Sequence, residues 1–152
     1  MTRGPALPDE SRALTARYAA VDEAAALIAE FCARHAIDRT IELKLTLVLE
    51  ELITNTIEHG YGGESDAPIR MALSASDAAL SLFYEDGAPA FDPLAHDAER
   101  AASVDAPLDE RPVGGLGLHL IRQTATHARY ARDGDCNRLW VTLATAADSS
   151  PT

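Results

Sequence analysis

Apolar positions in the first sixty residues recur at helical spacing. Leu27, Ile28, Phe31 and Cys32 share one side of a stretch over 21–35, with Asp22 placed to cap its start. Ile41, Leu45, Val48 and Leu52, flanked by Leu49 and Ile53, give a second helix over 40–59 a broad apolar face, with Asp38 or Thr40 as its cap. Tyr61-Gly62-Gly63 stops that helix, since glycine accepts the backbone angles that end one. Ahead of both, residues 12–20 carry Leu14, Ala16 and Tyr18 on one side and read as a short strand. Residues 1–11, with Gly4, Pro5 and Pro8, read as a loose arm.

The period then shortens to that of a strand. Residues 69–74 and 80–85 alternate apolar and polar side chains and turn over a polar stretch at 76–79, the pattern of a hairpin. The stretch 92–113 holds Pro93, Pro107 and Pro112 among acidic residues and few large apolar ones, so a mobile loop is expected. Residues 116–127 read as a third helix. Residues 128–132 and 138–143 pair around Asp133-Gly134 as a closing hairpin, and 146–152 form a tail. Strand, two helices, two strands, helix, two strands predicts an α/β (α+β) fold in one domain over 12–145. Its architecture is a two-layer α/β sandwich with a mixed, mainly antiparallel sheet and helices on one face.

The composition agrees with this. A chain of 152 residues suits one domain, and 47% hydrophobic with 24% charged residues is ordinary for a globular protein. The apolar stretches are too short to span a bilayer and MTRGPALPDE lacks a signal-peptide core, so a cytoplasmic protein with no membrane association is expected. A net charge of −11 repels a phosphate backbone at long range, so no direct nucleic-acid binding is expected, whereas basic protein partners are favoured. A small phosphate ligand stays open, because backbone N–H groups and a cation suffice to hold it. Cys32 and Cys136 form no CxxC pair and read as reduced thiols.

Three clusters carry candidate chemistry. Glu51, Asn55 and His59 stand four residues apart, on one stripe of the second helix with steps of roughly 6 Å. A solvated face with a satisfied His explains them, as does a His/Glu metal site, although the Asn amide oxygen suits Mg²⁺ better than a soft metal. EDGAPAFDP (85–93) follows a strand. It is a turn signal, or else a carboxylate at a strand end able to accept a hydrogen bond from the exocyclic amine of a base. GGLGLHLI (114–121) opens a helix with Gly114, Gly115 and Gly117, where bare backbone and unpaired N–H groups can meet phosphate; many ordinary loops enter helices the same way.

In this order and spacing the three clusters resemble the GHKL (Bergerat-fold) ATP-binding family of gyrase-type, Hsp90-type, histidine-kinase and MutL domains. The runs ELITNTIEHGYG, DGAPAFDP and RPVGGLGLHLIRQ look like its RsbW-type anti-sigma factor serine kinases. The resemblance implies a histidine-kinase-like ATPase fold with ATP and Mg²⁺ as cofactors. It makes Glu51 the general base and Asn55 the Mg²⁺ ligand, with Asp86 holding the adenine amine beside Gly87. Gly114, Gly115, Leu116, Gly117 and Leu118 would wrap the phosphates, 93–113 would be the ATP lid, and Arg111 would reach the γ-phosphate. It further implies a homodimer that regulates transcription by switching between a sigma factor and a STAS-type anti-anti-sigma partner, whose serine it phosphorylates. The alternative is a non-catalytic ATP-binding module that acts on a partner by contact. Two departures stand out. Ala90 replaces a second glycine, and Asn137-Arg138 stand where many relatives have Gly-Thr, so a third adenine-side contact is not carried over.

Overall fold

The computed structural model describes residues 9–95 and 116–145. Five strands, β1 (Glu10–Thr15), β2 (Pro68–Ala75), β3 (Ala79–Asp86), β4 (Ala125–Asp133) and β5 (Cys136–Ala144), form one sheet in the order β1-β2-β3-β5-β4. Each described pairing is antiparallel, so the sheet among these residues is wholly antiparallel where a mixed, mainly antiparallel one was expected. Three helices accompany it: α1 (Ala19–Arg34), α2 (Arg39–Asn55) and α3 (Leu116–Thr124), with α2 packed against the other two.

Strand alternation explains the layering. The rows Met71–Tyr84–Leu139, Leu73–Leu82–Val141 and Ala75–Leu80–Leu143 cross β2, β3 and β5 in register, and their large side chains are buried. Leu45, Val48, Leu49, Leu52 and Ile53 of α2 and Leu27, Ile28 and Phe31 of α1 join the same core. Each such side chain contributes roughly 1.5–3 kcal/mol on burial, which fixes the helical layer to this face. The opposite face is partly exposed; there Phe83 meets Trp140, and the Arg129 guanidinium lies 4.1 Å over the Trp140 ring.

Several boundaries differ from expectation. Strand β1 begins at Glu10, inside the expected arm, and ends at Thr15, because its register with β2 is set by Leu14 opposite Ile69. Ala16 then exchanges hydrogen bonds with Ala67 and Ser65, and α1 starts at Ala19, so 16–20 is not strand. Asp22 does not cap α1. Tyr18 holds that position without a side-chain bond, and Asp22 stands in the first turn, where a carboxylate favours the positive helix end. Asp38 is at the N-cap of α2, likewise with no side-chain cap bond.

Helix α2 ends at Asn55 and passes into a π-helical turn, Thr56–Gly60, in which the Tyr61 N–H donates to the Thr56 carbonyl at 2.9 Å. Gly62, at φ +71°, then turns the chain where a Cβ would strain it. Helix α3 stops at Thr124 instead of 127, because Ala125 and His127 already pair with Leu143 and Thr142 of β5 around a bulge. Residues 1–8 of the expected arm, 96–115, which hold most of the expected loop, and the tail 146–152 lie outside the described residues.

Candidate functional site

The inner face of the sheet turns polar at one end. Asp86, the last residue of β3, faces Asn137 of β5 in register, and each is only 8% exposed. A carboxylate this buried needs partners. Asp86 Oδ1 accepts the Ala88 N–H at 3.1 Å and Asn137 Nδ2 at 2.8 Å, and Oδ2 accepts Thr56 Oγ1 at 2.7 Å. Thr56 opens the π-helical turn, so the end of α2 reaches the sheet at this point.

Thr56 Oγ1 also lies 2.6 Å from the Tyr84 hydroxyl and 2.9 Å from the Leu52 carbonyl. A threonine hydroxyl has one proton, and the charged Oδ2 is the strongest acceptor near it; the Tyr84 hydroxyl has Thr56 Oγ1 and the Leu52 carbonyl, 3.2 Å away, as acceptors for its own proton. Burial pushes the Tyr84 hydroxyl well above its ordinary pKa, and the Asp86 charge adds to it. Tyr84 is therefore a protonated donor throughout the neutral range.

A cavity of about 160 Å³ opens beside this network, lined by Asn55, Thr56, His59 and Gly60 from the helix end and by Asp86, Phe91 and Asn137 from the sheet side. Its outer wall, 86–91, is tied down at its start, where Tyr61 Oη accepts the Gly87 N–H at 3.1 Å and Arg132 Nη1 donates to the Ala88 carbonyl at 2.7 Å. Burial raises the Tyr61 hydroxyl pKa, against a smaller lowering by the Gly87 bond. Asp92 Oδ1 then accepts the Leu94 and Ala95 N–H groups, starting a helical turn at 93–95.

The donor set suits an aminopurine nucleotide. A carboxylate offers about four lone-pair sites, and three of those on Asp86 are filled among the described residues. The remaining acceptor, on Oδ2, suits an exocyclic amine. Asn55 lines the same cavity, and among the described residues its side chain has no hydrogen-bond partner, which leaves a hard amide oxygen for a cation such as Mg²⁺. Among the described residues no group of three or more His, Cys, Asp or Glu is placed to hold a metal ion by itself. No helix among them is long and apolar enough to cross a membrane.

Asn55 and Asp86 thus share one cavity, although they come from different layers. Gly87 stands beside it with its N–H engaged, and Glu51 lies one turn earlier on α2, half-buried beside an exposed Glu50 and outside the cavity lining. Leu116, Gly117 and Leu118 form the first turn of α3; Leu118 sends its side chain into the core, so its main chain is the part a ligand can meet. Arg111, Gly114 and Gly115 lie outside the described residues. Motif reading missed Thr56, Tyr84, the inward role of Asn137, and Tyr130, which lines the cavity and donates to Asn137 Oδ1 at 2.6 Å. Strand parity held the signal, since Asn137 shares its parity with Leu139, Val141 and Leu143.

A family model described as a histidine kinase-like ATPase domain matches residues 14–143. The chain is similar to the serine/threonine-protein kinase BtrW of Bordetella bronchiseptica, 31% identical over 109 residues that cover 72% of this chain and 75% of that one. Its fold is similar to that of a chain in the crystal structure of the SiaB–SiaC complex from Pseudomonas aeruginosa. That match has a TM-score of 0.55 at 12% identity and covers 90% of both chains.

Proposed function

The chain belongs to the histidine kinase-like ATPase domain family, and from that premise we propose that it is an ATP-dependent serine-protein kinase. Its substrate is a small STAS-type anti-anti-sigma partner, and it holds a sigma factor as the competing partner in the cytoplasm as a homodimer. The observation that carries the nucleotide part is the convergence of Asn55 and Asp86 on one cavity, with a single acceptor of Asp86 unfilled. The protein-kinase part is supported by the similarity to BtrW.

Asp86 takes the base amine, and Asn55 offers its amide oxygen to Mg²⁺. When bound, Mg²⁺ neutralises phosphate charge. Gly114, Gly115, Leu116, Gly117 and Leu118 wrap the phosphates with main chain, and Arg111 meets the γ-phosphate. Transfer needs little beyond positioning and charge neutralisation. The partner's serine oxygen bonds to the γ-phosphorus as the bond to the β-phosphate oxygen breaks, and Glu51 accepts the serine proton. The net charge of −11 favours docking on basic patches of a sigma factor.

Glu51→Gln tests the catalytic part, because it keeps shape and polarity while removing the proton acceptor. The variant is expected to bind ATP as the parent does and to lose roughly 10²–10⁴-fold in single-turnover transfer of labelled phosphate. Glu50→Gln, on a different side of the helix, is expected to keep the parental rate. Equal rates for Glu51→Gln and the parent would refute the assignment of the base. The second reading is a binder that regulates a partner by contact. ATP binding with no phosphoryl group added to any serine of the antagonist, read by mass analysis, would establish that reading instead.

A further inference from the structure

Asn137, with Arg138, stands in the closing hairpin where many relatives have Gly-Thr, and its side chain makes five hydrogen bonds. Its orientation follows from its neighbours. Asp86 Oδ1, the Ala88 carbonyl and the Pro89 carbonyl are acceptors, at 2.8, 3.1 and 3.0 Å from Nδ2. The Phe91 N–H and the Tyr130 hydroxyl are donors, at 3.1 and 2.6 Å from Oδ1. The flipped amide would set its oxygen against Asp86 Oδ1 and the two carbonyls and its N–H groups against the Phe91 N–H; only the Tyr130 hydroxyl could adapt.

Two N–H groups thus serve three acceptors, and both lone pairs of Oδ1 are filled. Asn137 has no capacity left for a ligand, although it lines the cavity. What it does instead is occupy Asp86. With Ala88 it takes both acceptor sites of Oδ1, and Thr56 takes one of Oδ2. The carboxylate is left with one acceptor, held in one rotamer by bonds from three directions, and it has no proton to donate. Through Ala88, Pro89 and Phe91 the same amide sets the wall that faces a bound base.

Resting on the nucleotide reading above, we propose that Asn137 is a positioning residue for base selectivity. By fixing Asp86 as a single acceptor, it makes the cavity take a purine that presents an exocyclic N–H and reject one that presents a carbonyl there. A ring carbonyl against Asp86 Oδ2 leaves two acceptors facing each other, and the rigid wall prevents either from moving aside. A loosened Asp86 would rotate away and remove the penalty. The selectivity therefore depends on a residue that does not touch the ligand.

The test is calorimetric titration of the full chain with ATP and with inosine triphosphate, which carries a carbonyl for the amine and a protonated ring nitrogen beside it, each with magnesium. The parent is expected to prefer ATP by roughly 10²-fold or more. Asn137→Ala is expected to lower that ratio about tenfold or more, through weaker ATP binding and tighter binding of the inosine nucleotide as its penalty is relieved. An unchanged ratio in Asn137→Ala, or an equal loss of both affinities, would overturn the proposal and leave nucleotide binding standing. If Asn137→Ala melts before titration, Asn137→Ser carries the same test, with a reduced ratio expected and a parental ratio decisive against it. A parent that binds neither nucleotide refutes both this inference and the nucleotide reading beneath it.

Discussion

A single methyl group at Gly60 is expected to disturb both the fold and the cavity. A Cβ built there lies 2.7 Å from the Ala88 Cβ. Ordinary carbon contacts fall at about 3.5–4.0 Å, so the two surfaces overlap by roughly 1 Å. Neither side yields cheaply. Gly60 belongs to the π-helical turn, and Ala88 is buried and held through its own N–H and carbonyl. Overpacking of this kind costs about 1–3 kcal/mol. Against it stands the ordinary gain from replacing a helical glycine with alanine, roughly 0.5–1 kcal/mol, available because Gly60 is not at positive φ. The net loss for Gly60→Ala is then up to about 2.5 kcal/mol and centred on about 1 kcal/mol, a fall in Tm of roughly 2–4 °C at that centre for a chain of this size. Urea unfolding of Gly60→Ala, Ala88→Gly and the double variant reads the effect directly. Removing the Ala88 methyl should make the Gly60→Ala step neutral or favourable, a coupling of about 1–3 kcal/mol. If Gly60→Ala is as stable as the parent, or if Ala88→Gly fails to rescue it, the close approach of helix end and cavity wall is wrong.

Two further outcomes follow from the site and the core. Asn55→Ala should leave the Tm of the nucleotide-free protein unchanged, because that side chain bonds to no described residue, while lowering the magnesium-dependent part of ATP affinity about tenfold or more; unchanged magnesium dependence would reassign Asn55 to structure. Burial, with a contribution from the Glu42 charge, pushes the Cys32 thiol up from 9.0 to about 11. The neutral form is the one the fold favours, so this contribution is fully present below pH 9 and is lost as pH rises from 9 towards 11, where the unfolded thiol ionises first. Denaturation profiles should therefore fall more steeply over that window for the parent than for Cys32→Ala, and superimposable profiles would remove the thiol from the account.

Local sequence determined a good part of this molecule. The 3.6-residue stripe of Leu45, Val48, Leu49 and Leu52 specifies α2, and the alternation through Ile69–Leu73 and Leu80–Tyr84 specifies the β2–β3 hairpin, because each pattern has one way to bury its apolar side. Asn55 was legible as a candidate because polar residues interrupt a helix stripe otherwise built for a core, and Asp86-Gly87 because a turn signal there puts a carboxylate at a strand end. Where long-range pairing competed with local preference, the sequence was ambiguous. Ala125–His127 continues a helical pattern, yet the open hydrogen bonds of β5 take it into β4, and β1 starts at Glu10 because β2 offers it an edge. The site itself was decided in three dimensions. Thr56, Asp86 and Asn137 lie 30 and 51 residues apart along the chain and meet only through the turn that ends α2 and the register of β3 on β5. One residue of slip in that register would send Asn137 to the opposite face, because side chains alternate along a strand. The Asp86 carboxylate would then lose its Asn137 partner, and no local pattern around Asn137 announces the carboxylate it must meet.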